Sequence, residues 1–461
     1  MAENDKARLY REITQNADEQ TILERMREHG FWPQNEGLPE TPNAESQELS
    51  QIEKELAQLR KTNSAVKNPE KALNEERKRR WEESKKRRSE NKKKKAQEAQ
   101  KRLQEWEAYR TNQIIHVGAG VSAGLQDRAS NVEALNQRGL PVMHEGKDVA
   151  GRIGIKLSAL RWLTYHRKAA ALVHYHRFSI AKKTGGVRCI SAPKPALAHV
   201  QRWVLEHILM PLEVEPCVHG FLPKHSILTN AHPHVGKSVV ANLDIQDFFP
   251  SITFRRVKGL FHKIGYSEHV ATILALICTE PPRVAAEVDG KVYFVALGDR
   301  ILPQGACTSP AITNVLCRRL DKRLMGLAKK HDFAYTRYAD DLTFSGDNPK
   351  AIGRLLRSVR SILSSEGFRE HPSKTRVMRQ SARQEVTGLT VNEKPAVSRR
   401  ELRKLRAILH NAAKHGMQSQ NRDDHPDFAA FLRGKVEFVA MIDPEKGQVF
   451  RKMLQAALQS Q

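Results

Sequence analysis

Apolar positions recur along this chain at two periods, and the switch between them marks out its elements. Spacings near 3.6 residues predict helices over 158–167, 195–209, 226–234, 254–264, 268–278, 311–330 and 349–366; the last carries Ile352, Leu355, Leu356, Val359, Ile362 and Leu363 on one side. Alternation of β-branched and aromatic residues about turn residues predicts strands. One hairpin is expected over 174–191 about Thr184-Gly185-Gly186, a second over 283–297 about Asp289-Gly290, and a third over 334–345. The stretch 239–252 reads as a buried strand that delivers Asp244 at its end, then Phe248, Phe249 and a stop at Pro250; Lys374 begins a further strand. Helices with basic faces are expected at 399–415, 428–441 and 448–458. Hairpins mixed with helices place the chain in the α+β class.

Residues 1–112 differ in kind. Leu9, Ile13, Ile22, Met26 and Phe31 suggest a short helix pair, and Leu49, Ile52, Leu56 and Leu59 continue a weak amphipathic pattern. From 70 to 109 strong helix formers dominate, apolar residues are scarce and two basic runs stand at 85–88 and 92–95, which predicts a long polar helix, either a solvated spacer or a nucleic-acid-binding arm. The glycines at 118, 120 and 124 do not follow the spacing of a dinucleotide-binding loop, so 113–150 is expected to be a hinge.

Composition sharpens this picture. A net charge of +25 calls for a polyanionic partner, nucleic acid first, because such a surface releases the counterions of a phosphate backbone. No apolar run reaches the roughly 18 residues of a membrane span. The start of the chain lacks a signal-peptide pattern, and Cys189, Cys217, Cys278, Cys307 and Cys317 show no paired spacing, so a reduced, cytoplasmic protein is expected. A zinc cluster from Cys217, His219, His232 and His234 would need tighter spacing than zinc sites use.

The candidate chemistry sits in three stretches. The 334–345 hairpin turns through Tyr338-Ala339-Asp340-Asp341, and two adjacent carboxylates disfavour each other's charge unless a cation lies between them. Asp244 ends its strand before two aromatics, and Pro303-Gln304-Gly305 forms a loop that launches a helix. In this order the three resemble the reverse transcriptase palm: Asp with two aromatics, Pro-Gln-Gly, then Tyr-x-Asp-Asp. Two more stretches, Asn230-Ala231-His232-Pro233-His234 and Val386-Thr387-Gly388, are similar to the Asn-Ala-x-x-His and Val-Thr-Gly signatures of retron reverse transcriptases.

The resemblance implies a right-hand polymerase with fingers and palm over 151–390 and a helical thumb over 391–461, behind a basic N-terminal extension. It implies an RNA-directed DNA polymerase with two Mg²⁺ ions, bridged by Asp244 and Asp340 and supported by Asp341 and the backbone oxygen of Ile245. Arg188 and Lys182 would meet the triphosphate, Phe249 would exclude a 2′-hydroxyl, Gln304 would touch nucleotide or template, and Lys374 would neutralise pyrophosphate. Asn230, Ala231, His234, Val386, Thr387 and Gly388 would serve RNA binding. The implied partners are a cognate structured noncoding RNA, its branched DNA product, deoxynucleotides and an effector protein, in antiphage defence and away from membranes. Group II intron and diversity-generating reverse transcriptases share the palm motifs, as would an inactive RNA-binding scaffold; the intact aspartates speak against the scaffold.

Overall fold

The computed structural model describes residues 8, 11, 19–37, 43–67, 69–181 and 185–459. It divides into two units, Met1–Glu105 and Trp106–Gln461. Helices α1 (Glu19–Glu28), α2 (Asn43–Lys67) and α3 (Pro69–Asn112) make up the first unit, α3 ending in the second. Ile22 and Met26 lie on α1, whereas Leu9 and Ile13 of the expected helix pair are outside the described residues. Leu49, Ile52, Leu56 and Leu59 stay exposed along α2.

The segment expected as a hinge is part of the core. It holds α4 (Val132–Gln137) and α5 (Gly146–Ile153), and Ile114, Val117, Leu135, Met143 and Val149 are buried in the main cluster. Some of its glycines serve close approach: a Cβ on Gly118 would stand 2.2 Å from the carbonyl oxygen of His166, and one on Gly146 would press on Ile114 and Ile273. Glycine frequency alone cannot separate a hinge from a tight approach of two segments.

Next come α6 (Leu157–Thr164), β1 (Ala169–Ala170) and the hairpin β2 (Tyr175–Ala181) with β3 (Val187–Pro193). Helix α7 (Pro195–Val204) runs into a π turn at Leu205–Leu209, then α8 (Ile227–Ala231) and a 3₁₀ turn at His232–His234 precede β4 (Val239–Asp244). Beyond β4 stand α9 (Phe254–Lys263), α10 (Glu268–Cys278), buried from His269 onward, and the hairpin β5 (Arg283–Val288) with β6 (Lys291–Ala296), which β1 extends. The helix expected over 311–330 breaks at Cys317 into α11 (Thr308–Leu316) and α12 (Arg318–Lys330).

Strands β7 (Phe333–Tyr338) and β8 (Asp341–Gly346), helix α13 (Ile352–Ser365) and strand β9 (Arg376–Arg379) complete the central layer. Its antiparallel sheet has the order β7-β8-β4-β9, with α13 supplying Leu355, Leu356, Val359 and Leu363 to the core. Lys374 closes a 3₁₀ turn at Pro372–Lys374 rather than starting the strand, since its ammonium is drawn to Asp244. A small hairpin, β10 (Glu385–Val386) and β11 (Leu389–Thr390), leads to α14 (Arg399–His415), α15 (Phe428–Ile442) and α16 (Pro444–Gln459). These three helices build a second core around Leu405, Leu409, Leu432, Val436 and Phe450. Among the described residues no helix is long and apolar enough to cross a membrane.

Candidate active site

The site lies at one end of the four-stranded sheet. Strand β4 is almost wholly buried and is held along both edges by β8 and β9, and Asp244 emerges at its end with only 8% exposure. Between β7 and β8 the chain turns in two residues, Ala339 and Asp340, with Ala339 at φ 57°, a left-handed geometry that such a turn demands. The register sets Asp341 directly opposite Asp244, and the backbone N–H of Ile245 donates to the carbonyl oxygen of Asp340 at 3.0 Å. Asp244, Asp340 and Asp341, distant along the chain, therefore share one end of the sheet.

Their electrostatics follow from crowding. Burial first, then the charge of Asp244, raises the pKa of Asp340; Lys374 and Arg188 partly offset that rise. Burial, Asp340 and Asp244, in that order, push Asp341 up to about 7, although its side chain keeps one face on water. The Lys374 ammonium donates to both carboxylate oxygens of Asp244 at 2.9 Å. Among the described residues no three Asp, Glu, His or Cys side chains already converge as ligands of one metal ion. The set is thus three crowded carboxylates, one already matched by a cation.

Behind the turn lies a network that sequence reasoning missed. Arg337, on β7, is fully buried; its Nε and Nη2 donate to the two oxygens of Asp321 on α12 at 2.9 and 2.7 Å. Its Nη1 donates to Asn314 Oδ1 at 3.1 Å and to the Ala339 carbonyl at 3.2 Å, and the Tyr335 hydroxyl donates to Asp321 at 3.0 Å. Asn314 in turn donates to the Gly220 carbonyl at 2.9 Å, and a Cβ on Gly220 would sit 2.6 Å from the Ala339 N. The backbone of the Ala339-Asp340 turn is thereby clamped from two sides. The one sequence signal was an arginine among alternating apolar and β-branched residues, with no indication of its partner on another helix.

The other expected residues are distributed unevenly. Gln304 is half-buried, and its carbonyl accepts from Ser191 N at 2.7 Å, tying the Pro-Gln-Gly loop to β3; Gly305, at φ 112°, leaves no room for a Cβ against Ile190 and Ser191. Arg188 is exposed on β3, and Lys182 lies outside the described residues. Phe249 is half-buried beside Phe248, with ring centroids 5.7 Å apart.

The two short signatures meet each other. Asn230 Nδ2 donates to Thr387 Oγ1 at 3.4 Å, while Thr387 and Gly388 form the β10–β11 turn at φ 45° and 83°. His234 uses both ring nitrogens, against Ser345 Oγ and Thr336 Oγ1 at 2.7 Å each, which also leaves neither for a metal. Asn230, Ala231, His234 and Val386 are buried, so the expectation that they touch RNA is corrected: side chains without solvent exposure brace β7, β8 and the second core instead. Gly388 alone of the six is exposed, and Thr387 is half-buried.

A sheet that brings an Asp-ended strand to a two-residue Asp turn, beneath a hairpin and beside a helical bundle, defines a polymerase of the reverse transcriptase class. The reverse transcriptase (RNA-dependent DNA polymerase) family pattern matches residues 180–391. The chain is 43% identical over 373 residues to the retron Mx162 reverse transcriptase of Myxococcus xanthus, covering 76% of this chain and 75% of that one. It is 43% identical over 324 residues to the retron Mx65 reverse transcriptase of the same organism, covering 70% and 74%. With the retron Ec86 reverse transcriptase of Escherichia coli it shares 34% over 284 residues, covering 61% and 82%. The chain belongs to the retron reverse transcriptases and is an RNA-directed DNA polymerase. Residues 150–461 amount to about two-thirds of the chain, so a match over 76% reaches into the segment before residue 150, in keeping with its place in the core. Polymerases of this family work with divalent metal ions.

Proposed function

We propose that this enzyme copies part of one cognate structured noncoding RNA, starting from the 2′-hydroxyl of an internal guanosine, so that its product is a single DNA strand branched from RNA, and that it serves antiphage defence. The observation that carries the chemistry is the meeting of Asp244 with the Asp340-Asp341 turn at one sheet end. That donor set suits Mg²⁺: hard carboxylate oxygens, two of them raised in pKa by burial and mutual repulsion, and a third whose oxygens already attract the Lys374 ammonium. Two such ions, when bound, stabilise the attacking and leaving oxygens of an in-line displacement.

Asp244 and Asp340 would hold both ions, with Asp341 and the Ile245 carbonyl each supporting one. The Arg337 clamp fixes the turn that presents Asp340 and Asp341. Arg188, exposed on its hairpin, offers a planar fork for triphosphate oxygens, and Lys182 a second cation. Phe249 would fill the space a 2′-hydroxyl needs, selecting deoxynucleotides by exclusion. Gln304 would orient nucleotide or template from a loop anchored to the same hairpin. Lys374, once displaced from Asp244, has a charge to neutralise pyrophosphate.

The meeting of Asn230 with Thr387 supports an indirect part for both signatures, in which they shape the Thr387-Gly388 turn and leave it to face RNA. The test has two arms. An Asp340→Ala variant should lose primer extension to background while its melting temperature holds. Nucleic acid recovered with the wild-type protein should contain DNA joined to RNA by a branch that survives RNase; linear products primed from 3′ ends on any RNA supplied would end the retron-specific reading and leave the polymerase.

A further inference from the structure

Helix α3 is a polyelectrolyte built on a repeat. Between Arg77 and Arg102 it carries fourteen basic residues against four acidic ones, gathered in tetrads at 77–80, 85–88 and 92–95. The second and third tetrads are offset by seven residues, close to two helical turns. Lys85 therefore aligns with Lys92, Lys86 with Lys93, Arg87 with Lys94 and Arg88 with Lys95, each pair about 10 Å apart along the axis. Within a tetrad, successive side chains step about 100° around the axis, so four in a row surround the helix. A heptad is present here, but it repeats charge where a coiled coil would repeat apolar residues.

Little on the helix neutralises this charge. None of its 44 residues is buried. Glu76 engages Arg79 and Arg80, and the Lys85 ammonium lies 5.0 Å over the Trp81 ring. Among the described residues, no ion pair engages Lys86, Arg87, Arg88 or any of the lysines at 92–95. Three kinds of partner compete for such a surface. A helix lying on a membrane needs an apolar face opposite its cations, and a helix docking on another needs an apolar stripe; α3 has neither. Charge on every side suits phosphates that arrive from several directions, as they do where the helices of a folded RNA meet.

We propose that α3 is an RNA-gripping arm: it holds the phosphate backbone of the structured RNA that the polymerase copies, without reading its sequence. The choice of RNA as the polyanion rests on the reading of the enzyme given above. The unneutralised charge stands without it.

The test uses the full chain and a variant with residues 85–88 and 92–95 all changed to Gln, which removes charge while keeping helix propensity. The probe is a folded RNA three-way junction of arbitrary sequence, titrated across a range of KCl concentrations. The slope of log affinity against log salt should become shallower by about 0.7–0.9 for each phosphate that the variant no longer neutralises, and affinity at physiological salt should fall by about tenfold or more. A companion variant with Arg at 92–95 should keep the wild-type slope, and circular dichroism should show equal helix content in all three chains. Equal slopes for wild type and Gln variant would overturn the arm. So would a weakening seen only on phosphatidylserine vesicles or with an acidic polypeptide in place of RNA. Because the junction is arbitrary, this result is independent of whether the co-purified product is branched: linear product with a shallower slope sinks the retron-specific reading alone, and branched product with an unchanged slope sinks the arm alone.

Discussion

Two acid–base pairs flank the Ala339-Asp340 turn, and they are built to opposite ends. Behind it, Asp321 and Arg337 are both without solvent exposure, joined through two nitrogens and two oxygens, with Tyr335, Asn314 and the Ala339 carbonyl taking up further hydrogen-bonding capacity. In front, Lys374 holds Asp244 with the flexible end of a side chain that is 48% exposed. A saturated buried pair is fixed, because separating it strands a charge in a medium that cannot solvate it. An ammonium at the edge of a cleft is exchangeable, because water receives it. The rear pair sets geometry; the front pair occupies a carboxylate until another cation replaces it.

The largest effect should come from breaking the rear pair. Asp321→Asn keeps the shape and removes the counter-charge of Arg337, which should cost about 3–5 kcal/mol of unfolding free energy. Urea denaturation would measure it, and polymerase activity should fall with the folded fraction. A cost near that of a surface ion pair would mean that the clamp does not hold the turn.

Acidity should pull the two sides in opposite directions in metal-free protein. At the rear, burial foremost and then His219 lower the His234 pKa from 6.5 to about 3, so the unfolded chain takes up a proton that the fold refuses. Its contribution is complete above pH 6.5 and shrinks on acidification towards pH 3, by about 1.4 kcal/mol per pH unit. At the front, Asp341 has its pKa raised from 3.8 to about 7, so the fold holds a proton that the unfolded chain has released. Between those values rising pH therefore destabilises the fold, by an amount that solvent contact reduces. Urea unfolding over this range should show a His234→Gln variant losing the first dependence and an Asp341→Asn variant losing the second. The same sign of change for both would refute the contrast.

Smaller still is the expected change on removing the front cation. Lys374→Gln should alter stability by less than about 1 kcal/mol, and should lower the Mg²⁺ concentration for a half-maximal thermal shift by up to roughly fivefold, because the ion no longer competes with an ammonium. Primer extension should slow. An unchanged Mg²⁺ requirement would mean that Lys374 is not in the ion's place.

Much of this was legible along the chain because it is encoded locally. The Asp-ended strand, the two-residue Asp turn and the closing helices at 399–415 and 428–441 follow from period and turn chemistry, and the structure places them within a residue or two. What was illegible depends on partners far apart in sequence. Arg337 finds Asp321 and Asn314 on two other helices, and His234 finds Ser345 and Thr336 on two strands. Polar residues in a short signature therefore suggested RNA contact when they serve packing. The glycines near residue 120 suggested a hinge for a related reason, since what Gly118 accommodates, the His166 carbonyl, lies more than forty residues on.

The most direct measurement is anomalous scattering from Mn²⁺ in crystals of the enzyme with an RNA template, a terminated primer and an incoming deoxynucleotide. The expected result is metal density bonded by both Asp244 and Asp340, with the Lys374 ammonium gone from Asp244. Metal density away from one of these carboxylates, or Lys374 still seated on Asp244 in the complete complex, would contradict it.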